Sequence, residues 1–410
     1  MHRGVTRFAF VCLIAMQTAR AQEIRVWNRI VQVHGFFTQG FVYTDQNNWL
    51  TMNTSAGSGA MTDMGLNVSS RLTEKLRVGA QVYDRNLGKL GRWHPSLDWA
   101  VVDYRFTNWL GVRGGKVKTT FGLYNDSQDL DFMHVFALLP QSVYPTDIRD
   151  TTIAHTGGDL YGEIALPRRL GDMSYTVYAG HRSDSMYSGY PYLIRQWDTY
   201  LTDMGGLQYG ADLRWNLPLR GLMAGASRLN QDISAHGTFV DFFNPSNGII
   251  PYFESSKADW SNQFFAEYRR GPFTLVTEYR RCLRDQIILN NTSEDISDVR
   301  AWYVSGTYRI GKRVSVGSYY SHYTVTETFG GALAKIAPNA TDTSEPNNHI
   351  YDKVASVRFD LNRFWNLKIE GHFMDGFANT GFPAGFYPKD NANGFQRNTN
   401  ALVAKTSFHF

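Results

Sequence analysis

The sequence predicts an all-β protein, a closed antiparallel barrel of sixteen strands that crosses a membrane. Three observations predict it. Segments of alternating apolar and polar residues recur along the chain after its first 21 residues. They are joined in turn by short turns and by long loops rich in Asn, Asp, Ser, Gly and Pro. No apolar run approaches the ~20 residues that a membrane helix needs. In a transmembrane barrel, lipid-facing and lumen-facing residues alternate, with short periplasmic turns at one end and long extracellular loops at the other. One misjudged hairpin would change the count to fourteen or eighteen, not to a small barrel.

Residues 1–21 stand apart. Arg3 and Arg7 precede an apolar run from Phe8 to Met16, and Ala19-Arg20-Ala21 follows. This positive–apolar–small layout is that of a secretory signal peptide cleaved before Gln22. Its removal from the 410-residue chain leaves 389 residues, 22–410, as a single barrel domain without a linker. The formal charge of +4 includes Arg3, Arg7 and Arg20, so the mature chain is near +1 and no nucleic-acid partner is implied. Of two cysteines only Cys282 remains, which excludes an internal disulfide.

The strands fall near 30–44, 61–72, 75–86, 96–107, 109–119, 156–167, 172–182, 205–217, 220–230, 258–270, 272–284, 298–310, 312–326, 348–361, 364–376 and 397–410. The segment around 68–82 shows the unit: Leu76, Val78, Ala80 and Val82 alternate with Arg77, Gly79 and Gln81 after a turn at Thr73-Glu74. Other short turns lie at Thr107-Asn108, Pro167–Gly171, Leu217–Arg220, Gly271-Pro272, Gly311-Lys312 and Asn362-Arg363. Aromatics such as Tyr104, Phe106, Trp109, Trp215, Phe273, Tyr308 and Trp365 sit near strand ends, where headgroup-level girdles form. Unpaired backbone groups cost several kcal/mol each in hydrocarbon, so the first strand must pair with the last, joining His34–Phe41 to Leu402–Phe410.

At the C-terminus Leu402, Ala404, Phe408 and Phe410 share the outward phase, interrupted by Thr406. Phe408 and Phe410 thereby resemble the C-terminal signal by which outer-membrane barrels are recognised by their assembly machinery. Across almost its whole mature length the chain resembles the Gram-negative porin superfamily. Arg113-Gly-Gly-Lys-Val-Lys-Thr-Thr-Phe-Gly-Leu123 is similar to a motif of several porin families, phosphate-selective porins among them, although Thr120 stands where those often have Pro. The resemblance implies an outer-membrane homotrimer in contact with lipid and lipopolysaccharide. It implies a passive water-filled channel for small hydrophilic solutes, with no cofactor, no metal and no catalytic centre.

Porins of this kind fold the third extracellular loop into the lumen. Here that loop is the segment 120–155, and it carries Asp126, Asp129, Asp131, Asp147 and Asp150. The inward phase of the nearby strands carries Arg71, Arg77, Arg85, Arg105 and Arg113. Acid on a loop facing base on a wall sets a transverse field, and clustered charge is how aqueous pores discriminate ions. Lys116 and Lys118 join this set only if Gly114-Gly115 forms a bulge that re-aims them; otherwise two lysines face lipid at about 2–4 kcal/mol each.

Later strands add Asp212, Arg214, Glu278, Arg280, Arg309, Arg358, Asp360, Lys368, Glu370, His372 and Lys405, read as residues that line and solvate a channel. No nucleophile elbow, zinc-protease helix or phosphate loop is present, so enzymatic activity is not expected. A substrate-selective channel for anions such as phosphate or organic acids, or for sugars, is the alternative to general diffusion. A receptor or adhesin built on the loops is the contrasting class, and it requires a blocked barrel.

Overall fold

A computed structural model describes residues 22–26, 29–167, 170–241, 243–379 and 384–410. The segment 1–21, expected to be a signal peptide, lies outside the described residues. A short strand, β1 (Gln22–Val26), pairs with the start of β2 (Arg29–Thr44). There follow β3 (Ser58–Arg71), β4 (Leu76–Leu87), β5 (Ser96–Thr107), β6 (Leu110–Lys118), β7 (Ala154–Ala165), β8 (Asp172–Ser183) and β9 (Thr199–Asn216). The second half is β10 (Leu222–Val240), β11 (Ile249–Arg270), β12 (Phe273–Ile288), β13 (Ser293–Ile310), β14 (Val314–Gly331), β15 (His349–Asn362), β16 (Trp365–Asp375) and β17 (Asn398–His409). One short helix, α1 (Gly189–Ile194), interrupts the fourth loop.

Each strand from β2 to β17 pairs antiparallel with its sequence neighbours, and β17 pairs with β2. These sixteen strands close the barrel. The seam matches Ala404 to Phe41 and Phe408 to Phe37, and Gly35 and Phe410 exchange both backbone hydrogen bonds at 3.2 and 3.0 Å. A Cβ on Gly35 would lie 2.6 Å from the Phe410 ring, so glycine here makes room for the terminal aromatic. Thr406, the polar break in the outward phase, accepts from Trp365 Nε1 at 2.7 Å and donates to the Asn366 carbonyl at 2.9 Å.

Alternation sorts the two faces as expected. Leu66, Val82, Val102, Val177 and Leu402 are each 48–52 % exposed on the outside, whereas Gln81, Glu278, Lys368 and Glu370 are buried in the lumen. The girdle aromatics Tyr104, Phe106, Trp109, Trp215, Phe273 and Tyr308 are exposed on the outer face beside the short turns. An apolar outer surface over a polar interior is the build of an outer-membrane barrel.

Two expectations need correction. The Gly114-Gly115 bulge does not form: β6 runs against β5 and β7 without a register break there, with Arg113 opposite Asp103 and Lys116 opposite Ala100 and Thr156. Gly115 instead takes φ +123°, a conformation that absorbs the local distortion without an extra residue. Lys116 bonds the Leu97 carbonyl with its ammonium at the extracellular end of β5 and borders the same cavity as Arg113, while Lys118, at the end of β6, turns into the lumen without a bulge. The strands β9 to β14 also run farther than the alternation suggests, which shortens the fifth and sixth loops to 241–248 and 289–292. Their upper parts carry exposed pairs such as His236–Asp203 at 2.9 Å and Lys257–Asp285 at 3.7 Å. The inner face of these extensions packs against the fourth loop, with Leu201, Ile233, Ala235, Phe239 and Tyr252 buried beside Tyr190 of α1.

Candidate functional site

The third loop, 119–153, leaves β6 and crosses the lumen. Gly122 begins the crossing at φ +62°, where a Cβ would meet the Gln263 amide at 2.1 Å. Backbone groups inside a barrel need partners, and side chains from distant strands supply them. Gly122 N–H donates to Ser227 Oγ at 2.9 Å, and Arg214 donates to the Gly122 carbonyl at 2.8 Å. Arg358 donates to the Phe132 and His134 carbonyls at 2.7 and 2.8 Å. The two oxygens of Glu370 accept from Ala137 and Leu138 N–H at 2.8 and 3.0 Å. Arg280 donates to the Val143 carbonyl at 3.0 Å, and Arg85 to that of Thr146 at 2.9 Å. Glu278 accepts from Tyr144 Oη at 2.8 Å and from Leu123 N–H at 3.2 Å.

The loop carboxylates are paired directly. Asp131 lies 2.9 Å from Lys368 Nζ and 3.0 Å from Lys405 Nζ, and it accepts from Ser407 Oγ. Burial raises this carboxyl, but the two ammoniums outweigh burial and hold it well below the usual carboxylate range. Asp129 lies 2.6 Å from Lys118 and 3.5 Å from Arg149, and Asp98 of β5 meets the same two cations at 3.3 and 2.9 Å. Asp150 bridges Arg85 and Arg149 at 3.2 and 3.4 Å. Asp147 accepts from Tyr387 Oη at 2.6 Å in the last loop, and burial pushes its carboxyl up. Burial also raises Asp126, which borders a lower cavity with Lys118. His134, enclosed on the loop, is pushed down by burial to about 4 and is neutral at pH 7.

The arginines divide differently from the sequence reading. Of the bases expected on the facing wall, only Arg85 and Lys118 pair with loop acids among the described residues. Arg71 and Arg77 face each other across β3 and β4. Arg105 lies 3.7 Å from Glu163, and Arg113 lies 3.8 Å from Asp159 with its guanidinium 4.1 Å above the Tyr161 ring. These four belong to the periplasmic half of the wall, and Arg77 and Arg113 border a cavity of about 420 Å³ below the loop. The residues that grip the loop were instead Lys368, Lys405, Glu370, Glu278, Arg280, Arg358 and Arg214, which the sequence placed in the lumen only as channel lining. Arg149, a base on the loop itself, and Asp98 were missed. Strand phase gave their side, but no signal paired position 131 with positions 368 and 405.

Free space follows from this packing. Beside Asp129, Asp131 and Arg149 it narrows to about 40 Å³, room for on the order of one to three waters. Below the loop it opens into periplasmic cavities of about 490 and 630 Å³. Above, Trp49 and Leu50 of the first loop pack with Leu138 and Leu139 of the third and Phe386 and Tyr387 of the last. Cys282 is buried in the same cluster.

No family model and no curated protein sequence matches this chain. Solved structures do. OmpT of Vibrio cholerae superposes with a TM-score of 0.57 at 12% identity, covering 95% of this chain and 100% of that one. A trimer form of OmpT gives 0.52 at 12% identity over 93% and 99%. The anion-selective porin from Comamonas acidovorans gives 0.53 at 12% identity over 93% and 99%. The outer-membrane channel DcaP of Acinetobacter baumannii gives 0.51 at 10% identity over 93% and 97%. At such identities the likeness is one of fold, and the fold is that of the outer-membrane porins.

Proposed function

We propose that residues 22–410, freed of a signal peptide at 1–21, form an outer-membrane channel that passes small hydrophilic solutes and ions. It uses no cofactor and performs no chemistry. The observation that carries this reading is the closed sixteen-strand barrel whose polar lumen is crossed by a charge-bearing loop. The selective form of the reading is supported over general diffusion by the third loop crossing the lumen and pairing its acids with the wall, which leaves about 40 Å³ of space beside Asp129, Asp131 and Arg149. Selectivity in that space rests on Asp129, Asp131, Asp150, Arg85, Lys118 and Arg149, joined by Asp98, Lys368 and Lys405. Arg71, Arg77, Arg105 and Arg113 act below it as a basic approach, with Asp126 beside them, and Asp147 anchors the last loop. Assembly as a homotrimer, directed by Phe408 and Phe410 through the barrel-assembly machinery, completes the proposal.

Planar-bilayer recording under a salt gradient tests it. Small discrete current steps with a measurable reversal potential are expected. Large ohmic steps indifferent to added phosphate, organic acids or sugars would return the reading to general diffusion. Absence of current in a folded barrel would instead favour the receptor class.

A further inference from the structure

The larger periplasmic cavity, about 630 Å³, is unevenly charged. Arg309, Lys312, Arg313, Arg358 and Arg363 border it, against one carboxylate, Asp360. Asp360 is already shared by Arg358 at 2.8 Å and Arg309 at 3.9 Å. Among the described residues, Lys312, Arg313 and Arg363 have no carboxylate partner; Arg363 only rests over the Phe364 ring at 4.3 Å. A second observation points the same way. Asn366 is 1% exposed on the cavity wall, and neither its side-chain oxygen nor its nitrogen has a hydrogen-bond partner. Leaving a buried amide unpaired costs about 1–3 kcal/mol, so such a group in a native wall calls for a missing partner. The floor of the site is apolar: Phe132 from the third loop stacks on His409 with centroids 4.2 Å apart.

We infer that this periplasmic mouth is a binding site for a small organic anion whose carboxylate or phosphate group is held by Arg313, Arg363 and Lys312. Asn366 takes a polar group of the same ligand. Arginine forks match planar carboxylates and phosphates with two parallel bonds, and the cavity lies within the range of small-ligand sites, about 300–1,000 Å³. The site deepens the channel reading and rests on it for its meaning, since a ligand here occupies the inner end of the passage. It sits against the Phe132–His134 segment that Arg358 holds, so occupancy also braces the loop.

Calorimetry on the folded protein in detergent, at constant ionic strength in chloride, tests the site with sodium phosphate and disodium succinate as separate probes. Saturable single-site binding of either is expected; phosphate alone would identify a phosphate site and succinate alone a carboxylate site. The double variant Arg313→Gln/Arg363→Gln alters exposed turn residues and should weaken binding at least about tenfold. Asn366→Leu should weaken it as well, with heat-modifiable mobility confirming that both variants fold. No saturable binding of either probe, or native affinity in the double variant, overturns the inference. Bilayer recording on the same preparation separates the two readings: current without binding removes the site alone, and binding without current removes the channel alone.

Discussion

Replacing Asp131 with alanine should release the third loop. Among the described residues its carboxylate is the one acid ion-paired with Lys368 and Lys405, at 2.9 and 3.0 Å, and both ammoniums are nearly fully enclosed. After the change they retain only the carbonyls of residue 131, Phe136 and Ala137. Removing one partner of a buried pair costs about 3–5 kcal/mol because the charge left behind is uncompensated. That is a shift of roughly two to four orders of magnitude in the balance between the seated and displaced loop. The barrel ladder is untouched, so the penalty falls on the loop. Liposome swelling in arabinose should therefore quicken markedly, while heat-modifiable mobility stays native. The pH dependence follows from sign. The folded carboxyl lies below its unfolded value, so its stabilisation is complete above about pH 4 and is lost only as pH falls toward the depressed folded value. Unmodified protein should thus swell at one rate between pH 5 and 8. A native rate in the Asp131→Ala protein, or release on moving from pH 8 to 5, would refute the reasoning.

Three other outcomes follow from single contacts. Gly35→Val should drive a side chain into the Phe410 ring, 2.6 Å from the Cβ position, and lower barrel stability by about 1–3 kcal/mol in urea titration. Gly115→Ala should cost a similar ~1–3 kcal/mol, since φ is +123° and its Cβ would lie 2.2 Å from the Ala100 carbonyl; a native urea midpoint would contradict this. Lys118→Ala should move the reversal potential toward cations by unmasking Asp98 and Asp129; an unchanged potential would remove Lys118 from the selectivity element.

Much of the barrel was legible because lipid imposes a period of two on every strand that crosses it. Sixteen segments, seven short turns and the β17–β2 seam all follow from that constraint. The parts it does not reach were read less well. Upper strand extensions such as Ser255–Lys257 carry polar residues in succession, so their sequence does not distinguish ladder from loop. Gly115 solves by a left-handed φ what the sequence assigned to a bulge, because residue count alone cannot separate the two. The loop's anchors were the hardest. Lys368, Glu370 and Lys405 were correctly placed in the lumen by phase, but their partners lie more than two hundred residues earlier in the chain. A strand pattern reports which way a side chain points, not what a crossing loop presents to it.

The single-channel conductance of the unmodified protein in a planar bilayer tests the central claim most directly. A lumen crossed by a loop that Asp131, Glu370 and Glu278 tie to opposite walls predicts small unitary steps, well below those of an unobstructed bore of sixteen strands. Large, steady steps at neutral pH, in protein whose Asp131→Ala variant conducts no better, would contradict it.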